Sequence, residues 1–450
     1  LLEAGDRPGG VIRTERRDGF LIEGGPDCFI TDRPWAIDLC RRLGLEEEIL
    51  GTNPSCRRSF ILRNGRIVPI PEGYQLLAPS RFLPFATSPI MSLAGKLRVA
   101  CDLVLPRGPE VSDESLATFV RRRFGAEALE SLAQPLVAGI YNADPENLSL
   151  RATFPRFLDM ERSHRSVILA LLRARRRMAG ANAGVSGARY SLFATLRGGL
   201  QSLVDRLASA LPAGALRLGT AVSGLERRAG GFVVTTAPGE RIAADAVVLA
   251  LPARSAAPLL GAIDPEMEGS LASIPYGTSI TVTLAYRRAD VPHALDGFGF
   301  VVPRSEKRTV AACTFSSVKF AGRAPEGSIL LRAFLGGPSY AGPGRADGAP
   351  TDSERLVRAV RDDLRDILGV TAAPLFAVTY VWQRLMAQYQ VGHLERVAAV
   401  DRRLAAHPDL ALAGNGLRGV GIPDCVRSGE LAAERIVAAC LLKEQTDQKV

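Results

Sequence analysis

Near its end the chain carries a strand–glycine–helix pattern. Leu410-Ala411-Leu412-Ala413 is a short apolar run that feeds Gly414-Asn415-Gly416-Leu417-Arg418-Gly419-Val420-Gly421, and a helical pattern follows from Asp424 to Leu442. A continuous apolar run bounded by glycines suits a strand buried on both faces, as in parallel sheets flanked by helices. Glycines after such a strand let bare backbone approach a ligand. The helix that follows turns unpaired N–H groups and a partial positive charge toward it. A plain strand–loop–helix connection has the same pattern, so other segments must decide.

Two of them lie at the start. Leu1-Leu2-Glu3-Ala4 reads as the tail of a buried strand that ends in an acid and runs into the turn Arg7-Pro8-Gly9-Gly10. Dinucleotide folds use that acid to accept hydroxyl hydrogen bonds from a ribose. Glu23-Gly24-Gly25-Pro26-Asp27 marks a tight loop whose backbone faces outward without side chains. Each alone is also an ordinary turn.

Between the ends the pattern changes twice. Phe60–Val68 predicts a hairpin, with Asn64-Gly65 between two β-rich runs as the type I′ turn. Residues 34–50 carry helical spacing, and from Pro79 to Arg177 helical pieces dominate: Leu93–Leu105, Ser115–Phe124 and Ser166–Arg176. The arginine runs Arg121–Arg123 and Arg175–Arg177 read as solvated faces, with attraction to lipid or substrate as the alternative. Residues 230–251 predict a β-meander ending in a fully buried parallel strand, Ala246–Leu251. Thr278–Tyr286 alternates as a half-buried strand should, and 353–368 is an amphipathic helix. Such alternation at the two ends suggests one discontinuous α/β domain from which the middle hangs.

Composition narrows the function classes. At 450 residues the chain exceeds one hydrophobic core, so two or three domains are expected. An aromatic share of only 6% argues against a nucleic-acid reader built on stacking. The net charge of +9 favours anionic partners, unless it is a proteome-wide arginine bias. Seven scattered cysteines without a C-x-x-C pair argue for a reducing compartment over a disulfide framework, and four scattered histidines give no metal spacing. No apolar run reaches the roughly 18 residues of a spanning helix.

Taken together, the motifs resemble one family. Leu2-Glu3-Ala4-Gly5-Asp6-Arg7-Pro8-Gly9-Gly10 with Asp18-Gly19-Phe20 is similar to the second strand and following loop of flavoprotein oxidases. Glu23–Asp27, Leu136–Tyr141 with Asp144-Pro145, Gly297–Pro303, Cys313–Ser317 and Ala324–Gly327 narrow the resemblance to porphyrinogen oxidases. So do Trp382, Gln388-Tyr389, Gly392-His393 and Gly419–Cys425. The resemblance covers essentially the whole chain in order.

The resemblance implies an α/β, Rossmann-like FAD-binding flavoprotein oxidase fold with a mixed-sheet substrate domain and an inserted helical domain. The FAD-binding domain would comprise 1–58, 181–255 and 389–450, the substrate domain 59–79 and 256–388, and the helical domain 80–180. FAD would meet Glu3 and Ala4 at its ribose with Val11 nearby, and Val222 at its adenine. Gly25, Pro26, Asp27 and Cys28 would line the flavin, Trp382 would lie against it, and Val420, Gly421 and Ile422 would cap it. Leu136 and Gly139 would border a porphyrinogen pocket, and Arg58 would face a substrate propionate, which a guanidinium binds bidentately. Arg58 also reads as a solvated charge at a strand edge.

The implied reaction passes hydride from protoporphyrinogen or coproporphyrinogen to FAD, with dioxygen as final acceptor, in haem synthesis. It needs no metal, nucleophile or assigned catalytic base, because the cofactor carries the hard step. The expected setting is the cytoplasm, with peripheral contact on the inner membrane face and a homodimer left open. Rival readings are an amine or carotenoid oxidase of the same superfamily and a non-catalytic relative of the Rab escort type.

This sequence also departs from the family pattern. The first strand, G-x-G-x-x-G turn and first helix are expected in roughly the 30 residues before Leu1, which reads the chain as truncated. Ala387, Asn142-Ala143 and Gly416-Leu417 replace the usual residues, which bears on pocket shape.

Overall fold

The computed structural model describes residues 1–181, 192–336 and 352–447. Asn64 and Gly65 both take positive φ, 50° and 74°, as a type I′ turn requires. They join strands Phe60–Arg63 and Arg66–Pro69, with Arg63 opposite Arg66. This hairpin is one edge of a seven-stranded sheet. Beyond it lie Gly299–Val301, Ala312–Phe315, Ser328–Gly336, Tyr276–Arg287 and Phe376–Ala387 in spatial order. Neighbours are antiparallel except Gly299–Val301 with Phe60–Arg63.

Helix Ser353–Leu368 covers one face of that sheet. Its Leu356, Val360 and Leu364, spaced by four, pack with Ile280, Val282 and Leu284. Asp352 caps its first turn by accepting from the Glu354 and Arg355 N–H groups. The expected half-buried strand at Thr278–Tyr286 is instead buried on both faces from Ile280 to Tyr286. Strand Phe20–Glu23 supplies the second layer, with Phe20 and Ile22 against Ala285, Leu330, Phe376 and Tyr380. The alternating threonines therefore face a polar interior, not water.

A helical layer packs beside the sheet. Helices Leu93–Ala100, Leu116–Phe124, Gln134–Tyr141, Pro155–His164 and Val167–Ala181 surround Phe119, Phe124, Leu132 and Phe157. The arginine run at 121–123 is not one solvated face. Arg123 lies one turn after Phe119, points inward at 1% exposure and pairs with buried Asp102. Arg122 bonds Glu114 and Glu161, and Arg121 alone is exposed, paired with Glu146. The helix expected over 34–50 runs only from Trp35 to Arg42, because Gly44 turns the chain at φ 70°. A short turn and strand Ile49–Gly51 follow.

The α/β part gathers both ends. Leu410–Leu412 pairs in parallel with Val247–Leu249, and Leu2 makes a single parallel bridge to Arg217. Val222–Arg228, Gly231–Thr236 and Arg241–Ala244 form the meander. The strand expected to be fully buried at 246–251 is shielded on one side only. Leu249 joins Leu260 and Leu410 in a core, whereas Val248 points to the opposite face and stays 43% exposed. The closing helix begins at Ile422 and runs to Asp447.

Candidate cofactor site

Strand Phe20–Glu23 lays Gly24-Gly25-Pro26 onto the sheet. Three donors converge on the Gly24 carbonyl: the Trp382 indole N–H at 2.8 Å, the Thr281 hydroxyl at 3.2 Å and Arg332 Nη2 at 3.4 Å. The same Arg332 nitrogen also donates to the Gly25 carbonyl. The Gly24 N–H goes to the Arg13 carbonyl at 2.8 Å. Residue 25 must be glycine, since a Cβ there would overlap the Val11 carbonyl.

Charged groups sit beneath this loop. Lys319 Nζ meets Asp27 at 2.9 Å and Cys28 Sγ at 3.2 Å, and the Cys28 thiol donates to Asp27 at 3.2 Å. Burial alone would raise the Asp27 pKa, but Lys319 and Arg332 outweigh it and hold the carboxyl well below its ordinary range. Burial would also discharge Lys319, and Asp27 and Cys28 reverse that, so the ammonium is held above its usual value. Burial, with the Asp27 charge, pushes the Cys28 thiol up to about 12, so it stays protonated. Burial raises Glu23 against bonds from the Leu200 N–H and Thr14 hydroxyl and the charges of Arg323 and Arg332. A cavity of about 10 Å³ lies among Glu23, Asp27, Thr283, Ser316, Arg323 and Arg332.

The start of the closing helix is held from two sides. Asp424 accepts from the Gly421 N–H at 3.3 Å and pairs with Arg33, which ties this helix to the loop after Cys28. Ile422 packs against the core that contains Phe29 and Ile37. From beneath, the Tyr389 hydroxyl donates to the Asn415 carbonyl and accepts from the Gly419 N–H, both at 2.7 Å. His393 Nε2 reaches the Leu417 carbonyl at 2.8 Å.

The structure thus brings many of the residues named from sequence together. The Glu3 carbonyl accepts from the Thr220 N–H at 2.8 Å, which places Glu3 and Ala4 beside Val222. The Glu3 carboxylate folds onto the Gly5 N–H at 2.7 Å. Val11, Gly25 and Trp382 meet at the glycine loop, with Pro26, Asp27 and Cys28 next along it. Val420, Gly421 and Ile422 join them through Arg33 and Phe29. Leu136 and Gly139 lie on helix Gln134–Tyr141, where a Cβ at Gly139 would touch Val301. That helix is tied to the central strands by the Asn142 amide on the Thr278 carbonyl at 2.7 Å. Arg58 stands apart: its side chain is 69% exposed and pairs with Asp296 at 3.2 Å. Sequence reasoning named no role for Thr281, Lys319, Arg332, Tyr389 or His393. One signal was present: Arg332 is a single charge inside the apolar strand Ser328–Gly336, which costs stability unless it is satisfied.

The arrangement fits a flavin dinucleotide. It offers a half-buried bare-glycine surface, a Gly25 N–H with no partner among the described residues, and a long helix whose glycine-rich start faces the same loop. The fold is that of an FAD-dependent oxidoreductase.

Known proteins agree. A coproporphyrinogen III oxidase of Propionibacterium freudenreichii subsp. freudenreichii is 38% identical, covering 98% of this chain and 86% of its own. A coproporphyrinogen III oxidase of Bacillus subtilis (strain 168) is 34% identical over 96% of this chain and 90% of its own. The crystal structure of a provisionally named protoporphyrinogen oxidase from Exiguobacterium sp. 255-15 superposes with a TM-score of 0.83 at 32% identity, covering 97% of this chain and 92% of that one. The model of the flavin-containing amine oxidoreductases matches residues 1–437, and the chain belongs to that family.

Proposed function

We propose that this chain oxidises a porphyrinogen to the porphyrin in haem synthesis, with coproporphyrinogen III as substrate and dioxygen as final acceptor. The observation that carries the reading is identity of 38% sustained over 98% of the chain with a relative of that name. Relatives named for protoporphyrinogen oxidation stand at 28 to 31%.

Glu3, Ala4, Val11 and Val222 hold the adenosine end. Gly25, Pro26, Asp27, Cys28 and Trp382 line the flavin, and Val420, Gly421 and Ile422 cap it at a helix start suited to negative charge. Leu136 and Gly139 border the macrocycle. Arg58 takes a propionate by exchanging its exposed bond to Asp296, an ion pair worth about 0–1 kcal/mol.

Bound FAD supplies the hydride acceptance. The chain's part is to bind, orient and exclude water. The ionised Asp27–Lys319 pair fixes the loop without offering a base near neutral pH, and the Cys28 thiol stays protonated. Purified protein with FAD, mixed aerobically with coproporphyrinogen III or protoporphyrinogen IX, tests the reading. Porphyrin fluorescence rising with peroxide supports it, and the faster substrate settles the preference. Flavin-bound protein that oxidises neither porphyrinogen rules it out.

A peripheral membrane contact has separate support. Leu83, Leu93 and Leu97 are 76%, 74% and 62% exposed on helices Phe82–Thr87 and Leu93–Ala100, which Lys96 joins by bonding the Ala86 carbonyl. No helix among the described residues is long and apolar enough to cross a membrane. Sedimentation with anionic vesicles, weakened in a Leu83→Ser/Leu93→Ser variant, is the expected result. Vesicles that leave the protein in solution rule the contact out.

A further inference from the structure

The Gly24 carbonyl holds three donors, all from the sheet below it. Its peptide is planar and trans, so the Gly25 N–H points the opposite way, off the sheet. That N–H has no partner among the described residues. Pro26 follows and donates nothing, so this single N–H is what the loop presents.

Arg332 does more of this fixing than its neighbours. It is 3% exposed and stands opposite Thr283 in the sheet. It bonds both the Gly24 and Gly25 carbonyls, which Trp382 and Thr281 do not. Its flanking residues Leu331 and Ala333 are apolar and packed into the sheet's other face. Core packing there asks for no guanidinium, and a buried one is costly unless its hydrogens are used.

Two polar atoms in the same place remain unused. Arg332 Nε and the Thr283 hydroxyl are buried without a partner among the described residues, and both residues line the cavity of about 10 Å³. That space matches about one water molecule. A water there accepts from Arg332 Nε and bonds the Thr283 hydroxyl, which gives both atoms a partner.

We infer that Arg332, completed by one buried water, is a positioning residue that locks the Gly24–Gly25 peptide and aims the Gly25 N–H at the flavin. The inference rests on the flavin reading given under Proposed function.

Two variants test it. Arg332→Lys keeps the charge but loses the Nε that bonds the water and the planar guanidinium whose Nη2 alone reaches both carbonyls. Thr281→Val keeps a β-branched side chain on the strand and removes one donor. Each apo-protein is titrated with FAD while flavin fluorescence and the bound absorption spectrum are followed, and each is melted without FAD. The expected result is FAD affinity reduced about tenfold or more in Arg332→Lys and about threefold in Thr281→Val, with altered flavin spectra and an unchanged apo Tm in Thr281→Val. Wild-type affinity and spectra in both variants overturn the positioning role. If Arg332→Lys fails to fold, Thr281→Val decides on the same readings. Wild-type protein expressed from the full gene that binds no FAD defeats the flavin reading itself, which separates the two failures. A crystal structure of the holoenzyme with a water bridging Arg332 Nε and Thr283 Oγ1 supports the completed site, and a dry cavity overturns that part.

Discussion

The rings of Tyr389 and His393 lie face to face, with centroids 3.9 Å apart and planes 13° from parallel. They reach the loop between strand Leu410–Leu412 and helix Ile422–Asp447 at three backbone groups. A glycine-rich loop has high conformational entropy, and these side chains are what hold it in one shape.

Tyr389→Phe keeps the stack and removes the hydroxyl that joins Asn415 to Gly419. Leaving this partly buried N–H and carbonyl without their shared partner costs about 1 kcal/mol. Urea melts should show that loss, and FAD titration should show weaker binding, since the freed loop carries Gly421 and Ile422. A Tyr389→Phe protein as stable and as tight as the wild type would remove the loop from the cofactor site.

His393 makes stability depend on pH. Burial lowers its pKa from the ordinary 6.5, the Leu417 carbonyl opposes that, and its Nδ1 has no partner among the described residues. The folded protein therefore resists a proton that the unfolded chain accepts. Stability is complete above about 6.5 and declines as pH falls from there toward the folded-state pKa. His293, also lowered by burial, adds to the same slope. Urea midpoints should drop on acidification, and His393→Gln, which keeps a donor for Leu417, should flatten the drop without abolishing it.

What could be read from sequence follows the range of the interaction that sets each feature. The Asn64-Gly65 turn and the helix Ser353–Leu368 were legible because neighbouring residues fix them: positive φ in one, spacing by four in the other. The glycine loops at 24–25 and 414–421 were legible for the same reason. Arg332 was not, since its partner Gly24 is 308 residues away and only the sheet brings them together. Thr281 and Val248 went astray alike: alternation states which residues share a face but not what covers it. Arg58 was placed by its neighbours in sequence, and nothing local foretold Asp296 beside it.

In the helical layer, Arg123 and Asp102 form a pair shielded from water, and Asp102 also accepts from the Ser166 hydroxyl and the Ile168 N–H. Asp102→Asn leaves Arg123 with Glu161, at 3.3 Å, as its remaining anionic partner and should cost about 3 kcal/mol, the low end for breaking a buried pair. The loss belongs to this layer, whose core of Phe119, Phe124 and Phe157 is separate from the glycine loops. Thermal melts should fall while FAD affinity at low temperature stays near wild type. Loss of both together would couple the helical layer to the cofactor site.

The Asp27–Lys319 pair gives the sharpest acid test. Side chains of the two are 19% and 12% exposed, so each charge depends on the other. Asp27→Asn leaves Lys319 charged and buried, at a cost of about 3 kcal/mol. The Asp27 pKa lies below the ordinary 3.8 because Lys319 and Arg332 outweigh burial. Its contribution is therefore full above about 3.8 and is lost as pH falls from there toward the folded-state value. Wild-type protein should lose stability through that acid window, and Asp27→Asn should show a shallower loss from a lower starting point. The double variant Asp27→Asn/Lys319→Met removes both charges and should recover part of the deficit at neutral pH. Urea melts of the three proteins at neutral and acid pH check this. Equal stability of Asp27→Asn and wild type at neutral pH would mean the pair is solvated and does not hold the loop.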